Sequence, residues 1–113
     1  MYIRIETITL VVSKATGIPV ASILSKSRAR ELCYARAFIV NIARKYGHTY
    51  KALAKEMNRD HSTLVKNMDS LSNDLITNPA IKNQLNQCYT EIKHLESLVK
   101  YNTKEILVAL QTE

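Results

Sequence analysis

Asn58-Arg59-Asp60-His61-Ser62-Thr63-Leu64-Val65 is the stretch that decides the fold. Before it, Tyr50, Leu53, Ala54 and Met57 recur at helical spacing and give a two-turn helix. After it, Leu64, Met68, Leu71 and Leu75 form the buried stripe of a second helix over 64–75. That stripe leaves Ser62, Lys66, Asn67 and Ser70 facing outward. Asn58-Arg59-Asp60 is the turn, with Asp60 placed to cap the second helix. Helix, tight turn, helix is the layout of a helix-turn-helix reader, whose second helix points its first residues at base edges in the major groove. Here those residues are Asp60, His61, Ser62 and Thr63. Asp accepts from cytosine N4, the Thr methyl meets the thymine methyl, and Ser and Thr bond base or phosphate. His donates or accepts according to its tautomer. A solvated helix start, with Asp60 acting only as a cap, would use the same residue types. The turn alone therefore does not decide function.

Upstream lies a basic cluster, Lys26-Ser27-Arg28-Ala29-Arg30, followed by Arg36. Such cations hold phosphates, and an Arg on a loop also suits the negative potential of a narrow minor groove. Three cations in a polar loop are equally the mark of a solvated loop. The charge distribution adds weight. Residues 1–66 hold twelve basic and four acidic residues, while residues 67–113 hold four and six. The 113-residue chain has a net charge of +6, and all of the excess lies in its first part. A polyanion partner is expected for that part and a different role for the rest.

The rest of the chain reads as helix with few turns, since only two Gly and two Pro occur. Residues 2–9 alternate in a strand-like way through Ile3, Ile5, Thr7 and Thr9. Ile5, Ile8, Val12 and Ala15 also fit a helical stripe that ends at Gly17, and helix is the reading adopted. Pro19 suits the first turn of a short helix over 20–24, and 25–28 is a polar loop. Leu32, Ala35, Ile39, Ile42 and Tyr46, widened by Phe38 and Ala43, mark the strongest helix of the first part, closed by Gly47.

Thr77-Asn78-Pro79 breaks the chain, so a DNA-binding domain over 1–76 and a C-terminal amphipathic helix over 77–113 are expected. In that helix Ile81, Leu85, Cys88, Ile92, Leu95, Val99, Asn102 and Ile106 alternate in steps of four and three. This heptad seam suits either a dimer-forming coiled coil or packing on the chain's own domain. Its length and the polar Asn102 favour a homodimer through residues 79–110.

Other classes fit poorly. Cys33 and Cys88 lie inside helical patterns, and no Cys/His cluster suggests a metal, so no cofactor is expected. Asp60, His61 and Ser62 in sequence do not make a hydrolase triad, because consecutive helical residues fan outward. No phosphate-cradling Gly loop occurs, so no enzyme and no ATPase activity are expected. No apolar run reaches membrane-spanning length, and the start lacks secretory features. A cytoplasmic, nucleoid-associated protein is expected.

Over about residues 8–71 the chain resembles the C-terminal DNA-binding domain (domain IV) of the bacterial replication initiator DnaA. Val20-Ala21-Ser22-Ile23-Leu24-Ser25-Lys26-Ser27-Arg28-Ala29-Arg30, then Ala35-Arg36, then Arg59-Asp60-His61-Ser62-Thr63-Leu64 carry the resemblance. The last stretch is similar to the family signature Arg-Asp-His-Thr/Ser-Thr-Val. The resemblance implies an all-α, Trp-repressor-like helix-turn-helix fold, here with an added long C-terminal helix. It also implies that Arg28 enters the minor groove, that Asp60, His61, Ser62 and Thr63 meet the major groove of the initiator's box, and that Arg36 contacts DNA. Tyr34-Ala35-Arg36-Ala37 departs from the usual Arg-Pro-Arg-Gln/His pattern, and Ser27 replaces a common Arg or Lys. The first change, which removes the Pro and the polar residue after Arg36, bears on base preference.

The expected DNA-contacting set is Lys26, Arg28, Arg30, Arg36, Arg59, Asp60, His61, Ser62, Thr63 and Lys66. The expected partner is double-stranded DNA at sites related to the initiator box, bound by a stand-alone bacterial or phage domain. Two rivals remain: a repressor or mobile-element protein using the same fold on another operator, and a protein-interaction adaptor acting through the C-terminal helix.

Overall fold

The computed structural model describes residues 3–112, with side chains over 3–97. Six helices occupy the described residues: α1 Ile5–Thr16, α2 Val20–Ile23, α3 Arg30–Lys45, α4 Tyr50–Met57, α5 His61–Thr77 and α6 Pro79–Thr112. The ambiguous start is helical. Within α1, Thr9 Oγ1 donates to the Ile5 carbonyl (2.9 Å) and Thr16 Oγ1 to the Val12 carbonyl (2.7 Å), so these hydroxyls are satisfied on the helix itself. Ile5, Ile8 and Val12 are buried as the helical stripe requires. Gly17, at φ 75°, ends α1 in the left-handed conformation and donates its N–H to the Ser13 carbonyl. Pro19 stands one position earlier than expected, as the extended residue before α2.

The core is built around α3. Ala35, Ala37, Phe38, Ile39, Val40, Ile42 and Ala43 are all at most 1% exposed, so most of this helix is enclosed. It packs against α1, α2, α4, α5 and α6. Thr49 caps α4 by accepting from the Ala52 N–H (3.1 Å). Asn58, at φ 51°, is the left-handed residue that turns α4 into the α4–α5 corner. Leu53, Met57, Leu64 and Leu71 bury the inner faces of both helices and fix which side of α5 faces away. The second helix of the pair starts at His61 and runs to Thr77, longer at both ends than its apolar stripe.

Over 81–92 the C-terminal seam takes the intramolecular of its two expected roles. Ile81, Leu85, Cys88 and Ile92 are buried within the same chain, where α6 packs on α1, α5 and α3. Tyr89 Oη donates to Asn41 Oδ1 (2.5 Å), and Lys45 Nζ lies 4.9 Å from the Tyr89 ring centroid. The heptad spacing thus serves intramolecular packing over 81–92. A single extended residue, Asn78, makes the break, and its side chain accepts from the Ala80 N–H to start α6. The side chains of Val99, Asn102 and Ile106, the remainder of the expected seam, lie outside the described residues.

Candidate nucleic-acid interface

The loop over 24–29 follows α2 and folds back towards the α4–α5 corner. Its serines shape it locally. Ser25 Oγ donates to the Ser22 carbonyl (2.6 Å), the Ser27 N–H donates to Ser25 Oγ, and the Ala29 N–H donates to Ser27 Oγ. Its carbonyls turn inward. Arg36 Nε donates to the Ile23 carbonyl (2.7 Å), Nη1 to Ser27 (2.7 Å) and Nη2 to Ser25 (2.8 Å). Arg59 Nη2 donates to the same Ser25 carbonyl, and Arg59 Nη1 to that of Asn58. The side chains of Lys26 and Arg28, which alternate with these carbonyls, are exposed.

Between this loop and the start of α5 runs an open cleft of about 770 Å³. Lys26, Arg28, Arg36, Arg59, Asp60, Thr63 and Lys66 line it. Seven of the ten expected contact residues, far apart in sequence, therefore share one face. Lys55, Asn58 and Asn67 join them and were not in the expected set. Helical spacing does place Lys55 opposite the Leu53–Met57 stripe. Nothing local, however, says that a loop thirty residues upstream folds to that side.

Arg36 lines the cleft from a buried position. It is 4% exposed, and three of its N–H groups are spent on the loop. Burial lowers its affinity for the proton, and the nearby Arg59 cation lowers it further. Among the described residues no carboxylate lies within ion-pair distance of either guanidinium. The cleft wall thus holds two neighbouring cations bonded to loop carbonyls, and with Lys26, Arg28, Lys55 and Lys66 they outnumber the one lining carboxylate, Asp60, a setting that favours an anion.

Arg30 lies beside a second opening shared with Arg28, Asn67 and Ser70. Its Nε donates to Tyr34 Oη (3.3 Å), and Tyr34 Oη donates to Asp74 Oδ2 (2.6 Å). This tie to Tyr34, helped by the charge of Asp74, raises the Arg30 pKa and links α3 to α5. His61 and Ser62 are exposed but do not line the cleft. The His61 ring sits 5.1 Å from that of Tyr50, tilted by 55°, and the Arg44 guanidinium lies 4.8 Å from the Tyr50 centroid. Asp60 occupies the cap position with extended backbone, yet its side chain makes no capping hydrogen bond. That departs from the capping expectation, and Asp60 is among the residues lining the cleft.

A family model described as the bacterial dnaA protein helix-turn-helix matches residues 5–70, more than half of the chain. The matched span runs from α1 into α5 and contains the loop, Arg36, the turn and the opening of the second helix. Searches of curated proteins and of solved structures give no match.

Proposed function

The chain belongs to the family of bacterial DnaA helix-turn-helix domains, which bind DNA, and from that premise we propose that it recognises specific duplex sites related to the initiator box. In this reading α5 enters the major groove, with Thr63 and Asp60 at base edges and Lys66 at the backbone. Lys26 and Arg28 reach the adjacent minor groove and its phosphates from the 24–29 loop. The observation that carries the proposal is the single cleft. A basic loop and the first turn of a recognition helix line one open, cationic face, so one duplex can meet both.

Replication-linked binding at a box is favoured over another operator by the Arg59-Asp60-His61-Ser62-Thr63 run, which is similar to the family signature and lies within the matched span. The adaptor reading loses ground because the apolar positions over 81–92 are already covered by α1, α3 and α5. Random-site duplex selection on the purified chain tests the proposal. Enrichment of a box-like sequence supports it. Enrichment of an unrelated palindrome would move the chain to the repressor reading, and no enrichment would remove sequence-specific binding.

A further inference from the structure

The sequence reading placed Arg36 on DNA, and the geometry points to a different part for it. We propose that Arg36 is a positioning residue. Together with Arg59 it fixes the carbonyl side of the 23–27 segment, so that Lys26 and Arg28 are held at a set place relative to the start of α5.

The inference rests on the DNA-binding reading above and on four observations. First, Arg36 is buried and gives three N–H groups to three successive parts of one segment, the carbonyls of Ile23, Ser25 and Ser27. A planar guanidinium fork can make three divergent bonds at fixed angles, whereas an ammonium on a flexible stem cannot. Second, Arg59 belongs to the helix-turn-helix corner and donates to the Ser25 carbonyl that Arg36 also uses. One oxygen therefore joins the loop, α3 and the corner that opens the recognition helix. Third, the residues between the held carbonyls are the exposed Lys26 and, one step beyond Ser27, Arg28. Fixing carbonyls on one side of such a loop fixes the exit direction of the side chains on the other. Fourth, Cys33 Sγ on α3 donates to the Arg28 carbonyl (3.7 Å), so the hold extends past Ser27. Without these donors the loop would have to be ordered on binding, and that cost would be subtracted from affinity.

The test uses the full chain with Arg36→Lys and Arg59→Gln, each alone and combined with Arg28→Ala. Two quantities are read: tryptic cleavage after Lys26 in the absence of DNA, and duplex affinity over a salt series. For Arg36→Lys, with helix content retained, loop cleavage should rise about tenfold, and duplex affinity should fall about tenfold when Arg28 is present. In the Arg28→Ala background the same change should cost less than about twofold, because the side chain it positions is gone. Equal losses in both backgrounds would make Arg36 a DNA contact that acts independently of Arg28 and would overturn the proposal. A lowered melting temperature with unchanged cleavage and affinity would leave it a purely structural residue, which also overturns the proposal. If Arg36→Lys does not fold, Arg59→Gln must show the same coupled pattern at smaller size, and additivity there overturns the proposal as well. Failure of the parent chain to bind any duplex would refute the DNA-binding reading instead. Loop cleavage without DNA would still decide whether Arg36 holds the loop.

Discussion

Arg36, from the middle of α3, and Arg59, from the corner before α5, meet on one acceptor, the carbonyl oxygen of Ser25. Two cations would ordinarily avoid such an approach. Here the loop carbonyls compensate them, and the result is a bridge between the loop and the corner that together line the cleft. Hydrogen bonds to charged groups contribute about 1.5–3 kcal/mol each, enough to hold a short loop in one conformation.

Exposed cations on the cleft should act as phosphate contacts. Lys26→Ala, Lys55→Ala and Lys66→Ala are each expected to weaken binding to all duplexes and to flatten the salt slope by about one. Lys55 separates the structural account from the sequence reading, because only the folded cleft brings it to this face. Anisotropy titrations at several salt concentrations check this. A Lys55→Ala variant with the parent's slope would place the DNA elsewhere.

Base reading should centre on Thr63 and Asp60. Thr63→Ala is expected to lose about 1–3 kcal/mol at the preferred site and little on random duplex. Asp60→Ala is a cleaner probe than its cap position implies. Its carboxylate makes no capping bond, so its stability loss should stay below the ~1 kcal/mol of an ordinary cap. Thermal unfolding beside specific-site titration checks both. A large stability loss in Asp60→Ala would show that the carboxylate caps α5 in solution.

His61 is expected to act partly through Tyr50. Its ring is set by the tilted contact with Tyr50, which also carries the Arg44 guanidinium. Tyr50→Ala should therefore reduce site discrimination in the same direction as His61→Ala, with the double variant less than additive. Specific-to-random affinity ratios for the three variants measure this. Additive effects would mean that the two rings act separately.

The α6 seam should behave as part of the core. Ile92→Ala is expected to cost about 2–5 kcal/mol of unfolding free energy. That loss should not depend on protein concentration, because the packing is within one chain. Denaturant unfolding at two concentrations checks this, and a concentration-dependent midpoint would return the seam to an interface between chains.

Alkali should weaken the same seam. Burial raises the Tyr89 and Tyr46 phenols to about 12, with Glu96 adding to the effect at Tyr46, and it raises the Cys88 thiol to about 11. All three favour the protonated form when folded. Their contribution is therefore complete below the unfolded values and is lost as pH rises through about 9 to 12, Cys88 first and the two phenols after it. The melting temperature should fall across that window, and less steeply in Tyr89→Phe. Parallel curves for parent and variant would show that Tyr89 ionisation does not drive the loss.

The helices were legible because apolar residues recur at three and four, from Ile5 to Val12 and from Leu64 to Leu75. Gly17 and Asn58–Asp60 marked the corners correctly, since Gly17 and Asn58 take left-handed conformations that favour such residues. Two things were not legible. A seam of period 3.5 looks the same whether its partner is another chain or α1 of the same chain, so the packing of Ile81 to Ile92 could not be read from spacing. The burial of Arg36 was hidden for a related reason. Sequence shows a cation near other cations, while its burial depends on where a loop ten residues away returns. The clustering of Lys26, Arg28, Thr63 and Lys66 was expected in kind, but the cleft that joins them is a tertiary property.

The most direct test compares the affinity of the full chain for its selected duplex and for random duplex at several salt concentrations. The account predicts that the selected site is bound about 10³-fold or more tightly, and that both affinities fall steeply and linearly on logarithmic axes as salt rises. Equal affinity for the two duplexes, or binding insensitive to salt, would contradict it.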